Sequence, residues 1–425
     1  MIKIETILNH LSNHKDINAY DVRDTLNSSS QLYFVKEKLE TKRFVDTETL
    51  TITLYVDHKE YRGSSSFVVT SADDETSLEH KIDSAVSKAL KSCNKYYPLA
   101  NKSENITALK TVDNNEILKT AVKEIFGANK KKNTSLNATE LFADSKKVRF
   151  INSLGIDHTI TKHSLFVESI PSYKDENGEY ELYYASSNSD INCKGLKEEI
   201  EDALNNVVYR ANAQTLKEFE VAKDTKVYIE GEMLSMLMEA IANELSYRNQ
   251  YEKSSHYSLE DFISNNPFTL VMKGEIDGAV ASSPIDDSGI VLKDKEIIKD
   301  GKACALWGGV RYAYYMNQEA TGSYPCIELE DYKGQDNDNI RLIILNFSSP
   351  QFDQATGYFG GEVRLALYID HDKVTPLSGF SISGNLYEAM KTVSFSKEEA
   401  IVNRNESKAF KGPKYLIFDS ITLQK

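Results

Sequence analysis

The chain has 425 residues, more than one ordinary hydrophobic core organises, so two folding units are expected. Its net charge of −14 argues against a surface built to grip nucleic acid or anionic lipid, because phosphate binding is driven by clustered Lys and Arg. The opening MIKIETILNHLSNHKD has no apolar signal segment, no apolar run reaches the about 18 residues of a membrane span, and the four cysteines (Cys93, Cys193, Cys304, Cys326) form no C-x-x-C pair, so a cytoplasmic protein with reduced thiols is expected.

Residues 1–29 read as an amphipathic helix, with Ile4, Ile7, Leu8 and Leu11 on its apolar side, followed by a second short helical piece. His10 and His14 stand four apart, a spacing that can hold a metal, but no third ligand is near and a solvated helix face is expected. From Gln31 to Thr70 apolar and polar residues alternate through Leu50, Ile52, Leu54 and Val56, with a turn at Asp57-His58-Lys59, the pattern of a long antiparallel hairpin or meander. Gly63 to Ser66 could offer backbone amides to a peptide, although Gly-Ser clusters more often mark strand ends.

A clean helix follows at 77–93, with Leu78, Ile82, Ala85, Val86, Ala89 and Leu90 along one side. Residues 101–136 are polar, with a basic break at 127–133 expected to be solvated. Strands return over 137–195, turning at 151–155, where Asn152 and Gly155 suit left-handed backbone. His158 and His163 are five apart on a strand and so face opposite ways, which excludes joint ligation. Another amphipathic helix at 195–213 closes the first unit. The expected organisation is an α+β fold: residues 1–213 forming an antiparallel sheet with helices, and residues 214–425 forming a β-rich unit with a central helix.

That central helix lies in KVYIEGEMLSMLMEAIANELSYRNQ, residues 226–250. Leu234, Leu237, Met238, Ile241 and Leu245 form one apolar stripe, while Glu232, Glu239, Asn243 and Glu244 fall away from it. Further on, Asp286-Asp287-Ser288-Gly289 reads as an Asp-capped loop, Tyr312, Tyr314, Tyr315 and Tyr324 accompany the single Trp307, and Thr356-Gly357, Gly360-Gly361, an Asp-His-Asp turn at 370–372 and Ser383-Gly384-Asn385-Leu386 succeed one another. There is no P-loop, no G-x-S-x-G elbow and no G-x-G-x-x-G after a strand.

From about Ser30 to Lys425, the order of these motifs resembles the TldD/PmbA family, some members of which are labelled modulators of DNA gyrase. The resemblance implies proteolytic maturation or breakdown of peptides. It also implies that the catalytic branch holds zinc through His-Glu-x-x-x-His on the central helix and a cysteine near the last strands. Here the aligned residues read Met238-Glu239-Ala240-Ile241-Ala242-Asn243, and residues 402–411 contain no cysteine. Thioether and neutral amide are poor zinc ligands beside imidazole. Positions five apart also stand about 140° apart on a regular helix. The resemblance therefore implies the PmbA-like (TldE-like) role, with no metal of its own: a non-catalytic subunit that shapes a cleft for an unstructured peptide and pairs with a TldD-like catalytic subunit. Two alternatives stay open. One is an active metallopeptidase using Glu239 as base with His256 or His371 recruited; the other is a stand-alone homodimeric peptide-binding scaffold.

Overall fold

The computed structural model of the chain describes residues 2–425 apart from Cys93, Lys102, Ser103, Thr111, Glu218, Asp224, Asn405, Glu406 and Ser420. Helix α1 (Ile4–Asn13) leads into β1 (Ala19–Val35), which runs antiparallel to β2 (Lys38–His58), and β2 pairs in turn with β3 (Tyr61–Val69). The second helical piece expected before residue 29 is thus strand. AYDVRDTLNSSS carries few strong strand formers, but β1 is flanked on both sides and its ladder bonds decide its conformation.

After α2 (Glu75–Ala89), capped by Asp74 and Ser77 in a reciprocal capping box, comes α3 (Asn114–Phe126). This helix occupies the stretch read as merely polar. Strands β4 (Thr134–Asn152) and β5 (Asp157–Lys174) complete the centre of a nine-stranded sheet ordered β3-β2-β1-β4-β5, and α4 (Leu196–Ala211) follows. Strands this long carry two cores at their opposite ends. Helices α1 and α2 cover Val22, Ile52, Leu54 and Val56, and α3 and α4 cover Phe34, Leu141, Ala143 and Leu165.

The other two sheets draw on residues 214–424. Strand β6 (Lys226–Ile229) lies within an eleven-stranded mixed sheet and delivers the chain directly into α5 (Gly231–Glu244), after which comes the short α6 (Tyr247–Glu252). Strand β7 (Thr269–Lys273) begins a six-stranded sheet; the short α7 (Val310–Tyr315) precedes β8 (Cys326–Glu330), which pairs with β7. Strands β9 (Ile340–Phe347) and β10 (Tyr358–Asp370) extend the larger sheet, and the hairpin β11 (Glu399–Arg404) and β12 (Lys408–Pro413) forms the far edge of the smaller one.

Helix α5 is packed between these two sheets. Its core includes Leu270, Met272 and Leu329 from one and Leu342, Ile344 and Val363 from the other. An amphipathic stripe therefore understates its burial: Met233, Ser235, Ala240, Ala242 and Glu244 are buried as well. A helix enclosed on nearly all sides is held by its neighbours, not by its propensity.

Cys193 and Cys326 are buried and Cys304 is exposed, all as free thiols, while Cys93 lies outside the described residues. Burial pushes the Cys193 and Cys326 thiols up to about 11, which leaves both unreactive. Among the described residues no helix is long and apolar enough to cross a membrane.

Candidate functional site

The three motif positions on α5 reach three different places. Met238 has no exposed surface and belongs to the apolar core between the sheets. Glu239, one residue on, points out of that core toward the β11–β12 hairpin. Arg404 Nη1 donates to its Oε2 at 2.6 Å, and Lys408 Nζ lies 3.8 Å from its Oε1. Arg404 and Lys408 are opposite each other in the hairpin register, so the turn delivers both cations together, and Lys408 is steadied by donating to the Tyr324 carbonyl at 2.9 Å.

Asn243 lies farther along the helix, on the wall of a separate cavity. A zinc ion of the kind the catalytic relatives hold does not fit these residues. One ligand position is a buried thioether, another is an amide turned elsewhere, and the carboxylate between them already faces two positive charges that would repel a dication. Among the described residues no three His, Cys, Asp or Glu side chains cluster as a metal site. His256 and His371 are not brought to Glu239: His256 lies 3.4 Å from Glu244, and His371 contacts its neighbour Asp370 at 2.8 Å.

The cavity beside Asn243 encloses about 570 Å³ between the nine-stranded sheet and the end of α5. Asp21, Tyr55 and Tyr97 line one side, Asn243, Ser246 and Asn249 the other, and Trp307 to Arg311 close it together with Gln354. Trp307 Nε1 donates to the Ala242 carbonyl at 2.7 Å, a second bond to a last-turn acceptor of α5 that also takes the Leu245 N–H at 3.1 Å. Asp21 accepts from the Tyr55 hydroxyl at 2.7 Å, yet burial outweighs that bond and pushes its carboxyl up to about 6. Burial also raises the phenol of Tyr97.

Beneath the cavity, Glu244 is wholly buried, contrary to its polar assignment in the sequence. Its carboxylate accepts from Tyr387 Oη at 2.7 Å, Ser255 Oγ at 3.0 Å and the His256 backbone N–H at 2.5 Å, and also from the Gln354 amide. A buried carboxylate ringed by donors is satisfied by them, with the His256 ring 3.4 Å away. Its donors lie up to 143 residues away in sequence, so no local pattern announces them.

Other expected sites resolve into structural roles. A Cβ on Gly63 would stand 1.7 Å from the Ala89 carbonyl oxygen, so the Gly-Ser segment packs on the end of α2 and its glycine is required for close approach. Asp286 caps its loop through the N–H groups of Ser288 and Ile290 at 2.8 and 2.9 Å. The same loop docks onto the nine-stranded sheet, because Arg23 pairs with Asp287 at 2.9 Å and His158 Nε2 donates to the Gly289 carbonyl at 3.0 Å. His10 and His14 face Glu79 and Asp83 of α2 at 3.7 and 3.2 Å, not a metal. Tyr324 is core, whereas Tyr312, Tyr314 and Tyr315 join Tyr96 and Tyr97 in a cluster that bridges the two halves of the chain.

Residues 222–425 match the PmbA/TldA metallopeptidase C-terminal domain. The whole fold resembles TldE from Thermococcus kodakarensis, with a TM-score of 0.82 at 13% identity over 99% of this chain and 100% of that one. It also resembles candidate modulators of DNA gyrase from Thermotoga maritima (TM-score 0.78, 13% identity, 99% and 100% covered) and Bacteroides thetaiotaomicron (0.76, 15% identity, 100% of both). At such identities the likeness to these structures is one of fold. A comparison with curated proteins gives no match. Fold and site together define an α+β protein with a metallopeptidase-type C-terminal domain and a central helix that carries no histidine. Residues 222–425 thus carry the C-terminal domain of the PmbA/TldA metallopeptidases, and the chain as a whole shares its fold with TldE.

Proposed function

We propose that this protein is the non-catalytic, PmbA-like subunit of a peptide-processing assembly, in which it shapes a peptide-binding cleft and pairs with a zinc-bearing catalytic subunit. The observation that carries this reading is the clamp on Glu239. The one residue kept from His-Glu-x-x-x-His is neutralised by Arg404 at 2.6 Å and Lys408 at 3.8 Å, both on the segment where the catalytic branch supplies its cysteine. A carboxylate so held is poorly placed to take a proton from water. The free edge of β2 supports pairing with a partner: among the described strands, residues 38–49 are hydrogen-bonded only to β1, and Leu39 and Phe44 are exposed there.

The test is metal content and hydrolysis of an unstructured peptide, measured on the purified chain and again after mixing with a TldD-like subunit. Substoichiometric zinc and no hydrolysis alone, with hydrolysis in the mixture exceeding that of the catalytic subunit by itself, is the expected result. One zinc per chain with activity alone would overturn the proposal and make Glu239 the first residue to substitute.

A further inference from the structure

We propose that the cavity beside Asn243 binds the carboxylate terminus of a peptide, with Arg311 as its anchoring cation. This rests on the peptide-cleft part of the function proposed above.

Arg311 stands out by what it lacks. Among the described residues no carboxylate lies within ion-pair distance of its guanidinium, and its Nε is enclosed with no hydrogen-bond partner. The other arginines near this cavity are engaged: Arg248 with Glu252 at 3.3 Å, and Arg62 with Asp57 through a two-pronged pair at 2.6 and 2.8 Å. Arg311 is framed by the rings of Tyr97, Tyr312 and Tyr315, at 5.7, 5.3 and 5.7 Å to their centroids. Aromatic faces hold a guanidinium in place without consuming its fork of N–H donors. A partly enclosed cation with unused donors is best completed by a planar anion with two oxygens, which is the geometry of a carboxylate.

The rest of the lining narrows the class. Asn243, Ser246, Asn249 and Gln354 are neutral; the last three spend donors on the Asn243 carbonyl or on Glu244, which leaves oxygens that can accept from peptide N–H groups, and the acid of the lining, Asp21, is committed to Tyr55 at 2.7 Å. One unpaired cation facing one acid favours a monoanion over a phosphate dianion. A cavity of about 570 Å³ is large enough for the last few residues of a chain but not for a folded partner.

The experiment is calorimetric titration of the full-length protein with an N-acetylated hexapeptide of glycine, serine and alanine bearing a free C-terminal carboxylate, and with its C-terminally amidated twin. The free acid is expected to bind at least about tenfold more tightly, the scale of one charge-assisted pair. Arg311→Gln should abolish that difference, Arg311→Lys should restore part of it, and circular dichroism checks that both variants are folded. Equal binding of acid and amide by the unaltered protein would overturn the carboxylate anchor while leaving the cleft reading intact. If neither peptide binds, both fall, and the partner-dependent hydrolysis above then judges the subunit role separately. Displacement of the acid by inorganic phosphate at lower concentration than by acetate would also overturn the assignment.

Discussion

Glu239 and Glu244 sit five residues apart on α5 and meet opposite environments. Glu239 is a half-buried ion pair, so Arg404→Ala should cost about 1 kcal/mol in urea unfolding and should not confer stoichiometric zinc binding, because a single carboxylate is left. Glu244 is a buried carboxylate held chiefly by neutral donors. Replacing it with Ala orphans several of them at once, and a loss of about 3 kcal/mol or more is expected, with Glu244→Gln costing less. Asp21 gives a pH signature. Its folded pKa of about 6 exceeds the ordinary 3.8, so the folded chain binds this proton more tightly than the unfolded chain. Its contribution is fully present below about 4 and is lost as pH rises through about 6. Asp21→Asn should therefore flatten part of the fall in melting temperature across that window. Glu230, pushed up to about 7 chiefly by burial, keeps the remaining slope with the same sign.

Elements differ in how plainly the sequence announces them. Helix α5, the long hairpin strands and the turn after Asn152 are legible because their periods and turn residues are local. Helix α3 was equally marked, by Ile117, Leu118, Ala121 and Ile125 behind an Asp113 cap, but surrounding polar residues masked the period. Strand β1 was not legible, since Ser28, Ser29 and Ser30 become strand only through partners 18 and 117 residues away at Ser28. The altered motif could be read directly, whereas the Arg404 clamp spans 165 residues and the Arg311 cavity is assembled from separate segments of the chain. The loop carrying Asp286 holds the two halves together at Gly289, whose φ is +81° and whose added Cβ would lie 2.4 Å from Phe150. Gly289→Ala should cost about 1–3 kcal/mol and raise proteolytic cleavage near this loop, measured by urea unfolding and timed digestion.

Across the whole molecule, one sheet carries its helices at its two ends and the other two sheets enclose α5, with the Asp286 loop, the tyrosine cluster and the cavity lying where these bodies meet. Assembly belongs to this scale. If the open edge of β2 receives the catalytic subunit, Phe44→Glu should weaken co-sedimentation with it while leaving the melting temperature within about a degree, because an exposed side chain contributes little to folding. The chain's only tryptophan, Trp307, is tied to the end of α5 and forms part of the cavity wall. Its emission can be excited apart from the 24 tyrosines, so the protein carries its own optical gauge of that space. A colour shift or quench on adding a ligand would report occupancy with no attached dye and no need for turnover.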